Sequence, residues 1–107
     1  MEQWMIRQGD VVIVRADGVP ETAQTVERDH GRLILAYGEV TGHAHAITES
    51  DAELLSTADT AERWLRVGSS GATVVHDEHG ALAIPPGVYR VRIQREYSPE
   101  AIRNVAD

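Results

Sequence analysis

Two pairs of histidines are the residues of this chain whose type and spacing could do chemistry: His43 with His45, and His76 with His79. Residues two apart on a β-strand point to the same face, so the first pair could reach one point in space. A turn after a strand at residues 71–75 could bring the second pair alongside. Because neutral imidazoles bind Zn, Ni, Cu or Fe(II), the sequence predicts that these four histidines hold one divalent transition metal ion.

A metal held in this way would leave the question of catalysis open. If the ion has an open coordination position, it could activate water, and a nearby glutamate could act as general base. The candidates are Glu39, Glu49 and Glu78. Metal-assisted hydrolysis and Fe(II) oxygenation both remain open, so no catalytic residue is assigned. The fifth histidine, His30, lies in a turn-like context and is not expected to be a ligand.

The alternative interpretation is a non-enzymatic protein. In that case the histidines are surface or interface residues of a homo-oligomeric assembly or adaptor module. The chain has no Phe, so its core is small, and open sheet edges need to be covered. Both features predict a homo-oligomer, whichever interpretation of the histidines holds.

The segment from His43 to Glu49 is similar to the first cupin motif, in which His-x-His is followed by Glu after three or four residues. A Pro-Pro-Gly stretch further on looks like part of the second cupin motif, but Arg90 stands where cupins have a ligand histidine. The glycine expected after the glutamate of the first motif is also absent. The resemblance implies a double-stranded β-helix with His43, His45 and Glu49 as ligands.

A broader resemblance runs along most of the chain. The strings GEVTGHAH, HDEHG and PPGVYRVRIQREYSPE resemble those of a family of short bacterial proteins of unknown function. The resemblance implies that the three strings belong together as features of one family, and it indicates no activity.

Length and composition exclude several classes of protein. The 107 residues are expected to form a single domain, 1–107, and the formal net charge is −7. That acidity argues against nucleic-acid binding, and no apolar run is long enough to span a membrane. The chain has no Cys, which excludes disulfides and thiol chemistry, and all ten basic residues are Arg. The first residues do not resemble a signal peptide, so a cytoplasmic location is expected.

Short apolar segments separated by turn residues predict an all-β fold, a small sandwich or barrel of short antiparallel strands with a short C-terminal helix. The helix is predicted at 99–105, where Ser98 can cap it and Pro99 suits its first position. The strands are predicted at 11–16, 32–37, within 39–48, and at 71–75, 81–84 and 88–97.

Residues 50–67 are ambiguous. Ser50 and Glu53 have the spacing of a capping box, whereas residues 63–67 alternate like a strand. We favour a short turn or helical piece at 50–56, followed by a strand near 62–67.

Arg90 and Arg92 share a face of the last predicted strand, and Arg95 lies close by. Three guanidinium groups could hold a carboxylate or a phosphate. In so acidic a chain, however, the simpler interpretation is a solvated strand face that is paired with the surplus acids or with those of another subunit.

Overall fold

A computed structural model of the chain describes residues 4–37, 43–58, 62–77 and 79–93. Within these ranges the chain is all-β and contains no helix, so none there is long and apolar enough to cross a membrane. The predicted helix at 99–105 lies outside the described residues. The strands are β1 (Met5–Gln8), β2 (Val11–Arg15), β3 (Gln24–Thr25), β4 (Leu33–Tyr37), β5 (Ala44–Ile47), β6 (Ala52–Ser56), β7 (Arg63–Val67), β8 (Ala72–Val74), β9 (Leu82–Ile84) and β10 (Gly87–Ile93).

The strands pair antiparallel throughout. Six of them form one sheet in the order β1-β2-β10-β7-β6-β3, and two further pairs are β4-β5 and β8-β9. A pair of backbone hydrogen bonds joins these last two: Ala46 N–H donates to Val75 O (3.0 Å) and Val75 N–H donates to Ala46 O (2.9 Å). Strands β5 and β8 therefore lie side by side, as the predicted histidine site requires.

The core is built from one face of the six-stranded sheet together with the shorter strands. On β2 and β10 alternate residues turn inward, as the two-residue period of a strand requires. One cluster of buried side chains contains residues of β2, β4, β5, β7, β8 and β10, among them Ile13, Leu35, Ile47, Leu65, Val74 and Tyr89. Burial of each such side chain stabilises the fold by roughly 1.5–3 kcal/mol relative to exposure.

The short turn or helical piece expected at 50–56 is correct only for residues 50–51, which form a turn, and wrong for 52–56, whereas the strand near 62–67 is confirmed. Residues 52–56 form β6, in which Leu54 lies opposite Leu65 on the core face and Leu55 lies opposite Trp64 on the other face. Both leucines are buried. Because the two faces of this segment are both covered, edge-to-edge pairing with β7 satisfies its backbone better than an isolated helical turn would.

Arg28 fastens a turn to the start of β6. Its guanidinium donates hydrogen bonds to four carbonyl oxygens, those of Gly31 (2.9 Å), Thr48 (3.4 Å), Glu49 (2.7 Å) and Ala52 (3.0 Å). The planar group of five N–H donors suits this task, since it can reach several carbonyls at once. Arg28 therefore ties the turn at residues 28–31 to the segment that runs from β5 into β6.

Candidate metal centre

The pairing of β5 with β8 brings two of the predicted histidines together. His45 precedes Ala46 and His76 follows Val75, so the bridge between Ala46 and Val75 places the two histidines opposite each other. Their rings are stacked, with centroids 4.2 Å apart and planes inclined by 27°. The proximity therefore comes from strand pairing rather than from spacing along the chain.

The other two predicted histidines join this pair, and we call the set His43, His45, His76 and His79 the four-histidine group. The ring of His79 lies 4.8 Å from that of His76 and 5.8 Å from that of His45. The ring of His43 lies 5.9 Å from that of His76, and its Nε2 is 3.4 Å from Asp77 Oδ2.

His30 lies outside the four-histidine group. Its side chain is 91% exposed, and its Nδ1 lies 2.7 Å from Asp29 Oδ1. The backbone of His30 has a positive φ of 54°, which fits a turn between Asp29 and Gly31.

Gln8 determines which ring nitrogen of His45 carries the proton. The Gln8 amide nitrogen donates to Val74 O (3.1 Å) and to Gly80 O (2.8 Å), so the amide oxygen faces His45. His45 Nδ1 lies 2.7 Å from that oxygen, which can only accept a hydrogen bond. His45 therefore carries its proton on Nδ1, and the lone pair is on Nε2. Both side chains are buried, at 4% and 5% exposure, so water does not compete for these contacts.

Burial also keeps the His45 ring neutral. Removal from water lowers its pKa from the ordinary 6.5 to about 4, and the neighbouring His76 and His79 lower it in the same direction. The carboxylate of Asp10 opposes this shift. At neutral pH His45 therefore presents an unprotonated Nε2, which is the form that binds metal ions.

Gly9 forms the wall of the four-histidine group next to Gln8. A Cβ atom at this position would lie 2.9 Å from His79 Nε2 and 3.2 Å from His45 Cε1. The backbone of Gly9 also has a φ of +57°, in the region that favours glycine. Sequence reasoning missed Gln8 and Gly9 as site residues, because their partners are distant along the chain and a turn at Gly9 was the only signal.

The chain also matches a known family. The sequence model of that family covers residues 7–94, and its description is a domain of unknown function, DUF8820. The chain belongs to the DUF8820 family. The matched range contains the four-histidine group, Gln8 and Gly9, and it confirms the expectation of a family of unknown function. Searches for this DUF8820 chain among functionally curated proteins and among solved structures give no match.

Among the remaining candidate ligands and bases of the DUF8820 chain, only Glu49 lies within the described residues, and it has another partner. Glu49 Oε1, the third ligand implied by the cupin resemblance, accepts a hydrogen bond from Thr73 N–H (3.2 Å). Glu39, Glu78 and Arg95 lie outside the described residues. Across residues 4–37, 43–58, 62–77 and 79–93, no set of three or more His, Asp or Glu side chains is arranged to hold a metal ion.

Proposed function

We propose that this chain is a small metal-binding β-domain in which His43, His45, His76 and His79 take one divalent transition metal ion. The observation that carries the proposal is the hydrogen bond between Gln8 and His45. Histidines that bind metals usually donate their other ring N–H to an oxygen acceptor, which sets the tautomer and the orientation of the ring. Gln8 supplies such an acceptor, and it leaves Nε2 of His45 for the ion.

Binding requires the other rings to turn. A metal ion lies in the plane of each imidazole that binds it, whereas the rings of His45 and His76 are stacked face to face. His45 is held by Gln8 and stays in place. His79 is exposed and His76 is half-buried, and binding would require both rings to rotate toward Nε2 of His45.

The four imidazoles differ in what they can contribute. His43 Nε2 is close to the carboxylate of Asp77, so His43 would bind the ion through Nδ1 or leave the Asp77 contact. If His45, His76 and His79 bind first, the fourth position is open to water or to His43. Imidazole ligands suit Zn, Ni, Cu and Fe(II) alike, and a metal-bound water would allow hydrolysis. No catalytic residue is proposed.

The proposal is tested on untagged protein at neutral pH, by elemental analysis of its metal content and by calorimetric titration with the metal ion. We expect one ion of Zn, Ni, Cu or Fe for each chain. At a free metal concentration about 100 times the Kd, binding adds ~2.7 kcal/mol to the unfolding free energy, which raises Tm by roughly 10 °C for a domain of this size.

The matched variants are His43→Ala combined with His45→Ala, and His30→Ala. We expect the double variant to lose the metal and the added stability, and His30→Ala to keep both. Circular dichroism verifies that the double variant still folds. Absence of uptake by the native chain, or full uptake by the double variant, would overturn the proposal.

The alternative is a homo-oligomeric assembly or adaptor protein, and exposed apolar side chains favour it. Tyr37 on β4 is 64% exposed and Met5 on β1 is 62% exposed. Within the described residues β4 pairs only with β5, so its other edge could accept a strand of a second copy. Oligomerisation is compatible with the metal site, and we propose it in addition.

We also propose that the strands form two layers of a small sandwich. The core cluster joins residues of the six-stranded sheet, such as Ile13 and Leu65, to residues of the shorter strands, such as Leu35 and Val74. Antiparallel sheets with one buried face each commonly pack in this way.

A further inference from the structure

A groove lies on the face of the six-stranded sheet that points away from the core. The end of β2 and residues 16–20 form one side, and Trp64, Arg90 and Arg92 form the floor. Arg90 is opposite Val14 on one neighbouring strand and opposite Trp64 on the other. The groove has a volume of about 550 Å³, which is typical of a site for a small molecule.

The charged side chains that line the groove are Arg15, Arg90 and Arg92 together with one carboxylate, that of Asp17. Arg90 lies with its guanidinium carbon 5.4 Å from the ring centre of Trp64, and its Nη2 is 3.2 Å from Glu62 Oε2. Arg92 is exposed, and no acidic side chain in the described part of the chain pairs with it. Arg15 also lines the groove, but its guanidinium lies over the ring of Tyr89 on the opposite face of the sheet.

One polar atom of the floor lacks a partner. Nε of Arg90 is buried and has no hydrogen-bond partner within the described ranges. Burial of an N–H group without an acceptor is unfavourable, and hydrogen bonds from a guanidinium to an oxyanion are among the strongest in proteins. Because Nε itself is closed to solvent, an oxyanion in the groove would satisfy it when the Arg90 side chain, which is 34% exposed, turns toward the groove.

A third arginine on the same face of the sheet has an acidic partner. Arg66 of β7 pairs with Glu53 of β6 at 2.7 Å and does not line the groove. Of Arg66, Arg90 and Arg92, Arg92 alone has no acidic partner among the described residues, since Arg90 pairs with Glu62 and Arg66 with Glu53.

We propose that this groove binds a small organic anion. Its carboxylate or phosphate group is held by Arg90 and Arg92, and its apolar part lies against Val19 and Pro20. The groove is separate from the four-histidine group, since the histidines lie near Gly9 before β2 and the groove begins at Val14 near its end. The inference therefore does not depend on metal binding.

Fluorescence of Trp64 reports on the groove directly. The chain has two tryptophans, so Trp4→Phe leaves Trp64 as the only indole emitter. We would titrate this variant with phenyl phosphate and with benzoate, which separates a phosphate ligand from a carboxylate ligand. Inorganic phosphate is the probe that lacks the apolar part, and benzyl alcohol is the probe that lacks the charge. The indole N–H signal of Trp64 in nitrogen-15 NMR gives the same measurement in the native chain.

We expect a saturable change with phenyl phosphate or with benzoate, weaker binding of inorganic phosphate and none of benzyl alcohol. Arg92→Gln should weaken binding by about tenfold, because it removes one charged donor, and the control Arg66→Gln should leave it within about twofold. Three results would overturn the inference: no saturable change up to about 10 mM of either organic anion, equal weakening by the two arginine variants, or inorganic phosphate binding as tightly as phenyl phosphate.

Discussion

Replacement of Gly9 by alanine probes the wall of the four-histidine group with a single methyl group. The backbone at Gly9 has a φ of +57°, where an L-residue costs about 1–2 kcal/mol. The new Cβ would also lie 2.9 Å from His79 Nε2. His79 Nε2 is the end of an exposed side chain, so that ring turns away, whereas Cε1 of the buried His45, 3.2 Å from the new Cβ, must shift by a few tenths of an ångström. We therefore expect a loss of about 1–2 kcal/mol in unfolding free energy, or roughly 4–8 °C in Tm.

The same methyl group should have a larger effect on metal binding. His79 cannot turn toward Nε2 of His45 while it avoids the Cβ of alanine at position 9. If His79 is one of the ligands, the affinity for Zn should fall by about tenfold or more, which corresponds to at least ~1.4 kcal/mol. The expected result is thus a modest loss of stability without metal and a larger one with it.

Gly31→Ala is the matched control. Gly31 has a φ of +83°, and a Cβ there has no neighbour within 4 Å. It should cost the same backbone energy as Gly9→Ala and leave metal affinity unchanged. Gly18→Ala, with no positive φ and open space around it, should change neither quantity.

Scanning calorimetry of the three variants with and without Zn measures both effects. The increase in Tm on addition of Zn should be smaller for Gly9→Ala than for Gly31→Ala. If the two variants show the same increase, the contact between position 9 and His79 does not bear on metal binding, and the reasoning is refuted.

Three further predictions concern stability and assembly. The unfolding free energy of metal-free protein should fall by on the order of 2–3 kcal/mol as the pH drops from 6.5 to about 4. The reason is that His45 gains a proton near its ordinary pKa of 6.5 in the unfolded chain, whereas in the folded chain its pKa is about 4. A pH titration of urea unfolding measures this loss, which His45→Gln should reduce. Arg28→Ala should lower the unfolding free energy by about 2 kcal/mol in the same assay, since four carbonyls lose a charged donor. Arg66→Ala, which removes a half-exposed ion pair, should change it by no more than about 0.5 kcal/mol. Sedimentation at micromolar concentration should give a mass above the 11.7 kDa of one chain, and a clean monomer would contradict the homo-oligomer.

Local sequence patterns predicted most of the strands. β2 and β10 follow from alternation and from the Gly, Pro and Asp residues that bound them, because both signals act over a few residues. β6 was missed because Ser50 and Glu53 imitate a helix start, and its two-sided burial depends on Trp64 and Leu65 of β7. The short β1 was also missed, since its alternation is weak.

The sequence by itself determined the all-β class, the family, and the two histidine pairs as the candidate site. Only the tertiary structure decided how the pairs meet: the bridge between Ala46 and Val75 places His45 against His76. Only the structure also showed Gln8, whose amide holds His45 in one tautomer across 37 residues of chain. The physical reason is that side-chain periodicity is a local property of the backbone, whereas strand pairing and buried hydrogen bonds join residues whose separation along the chain carries no signal.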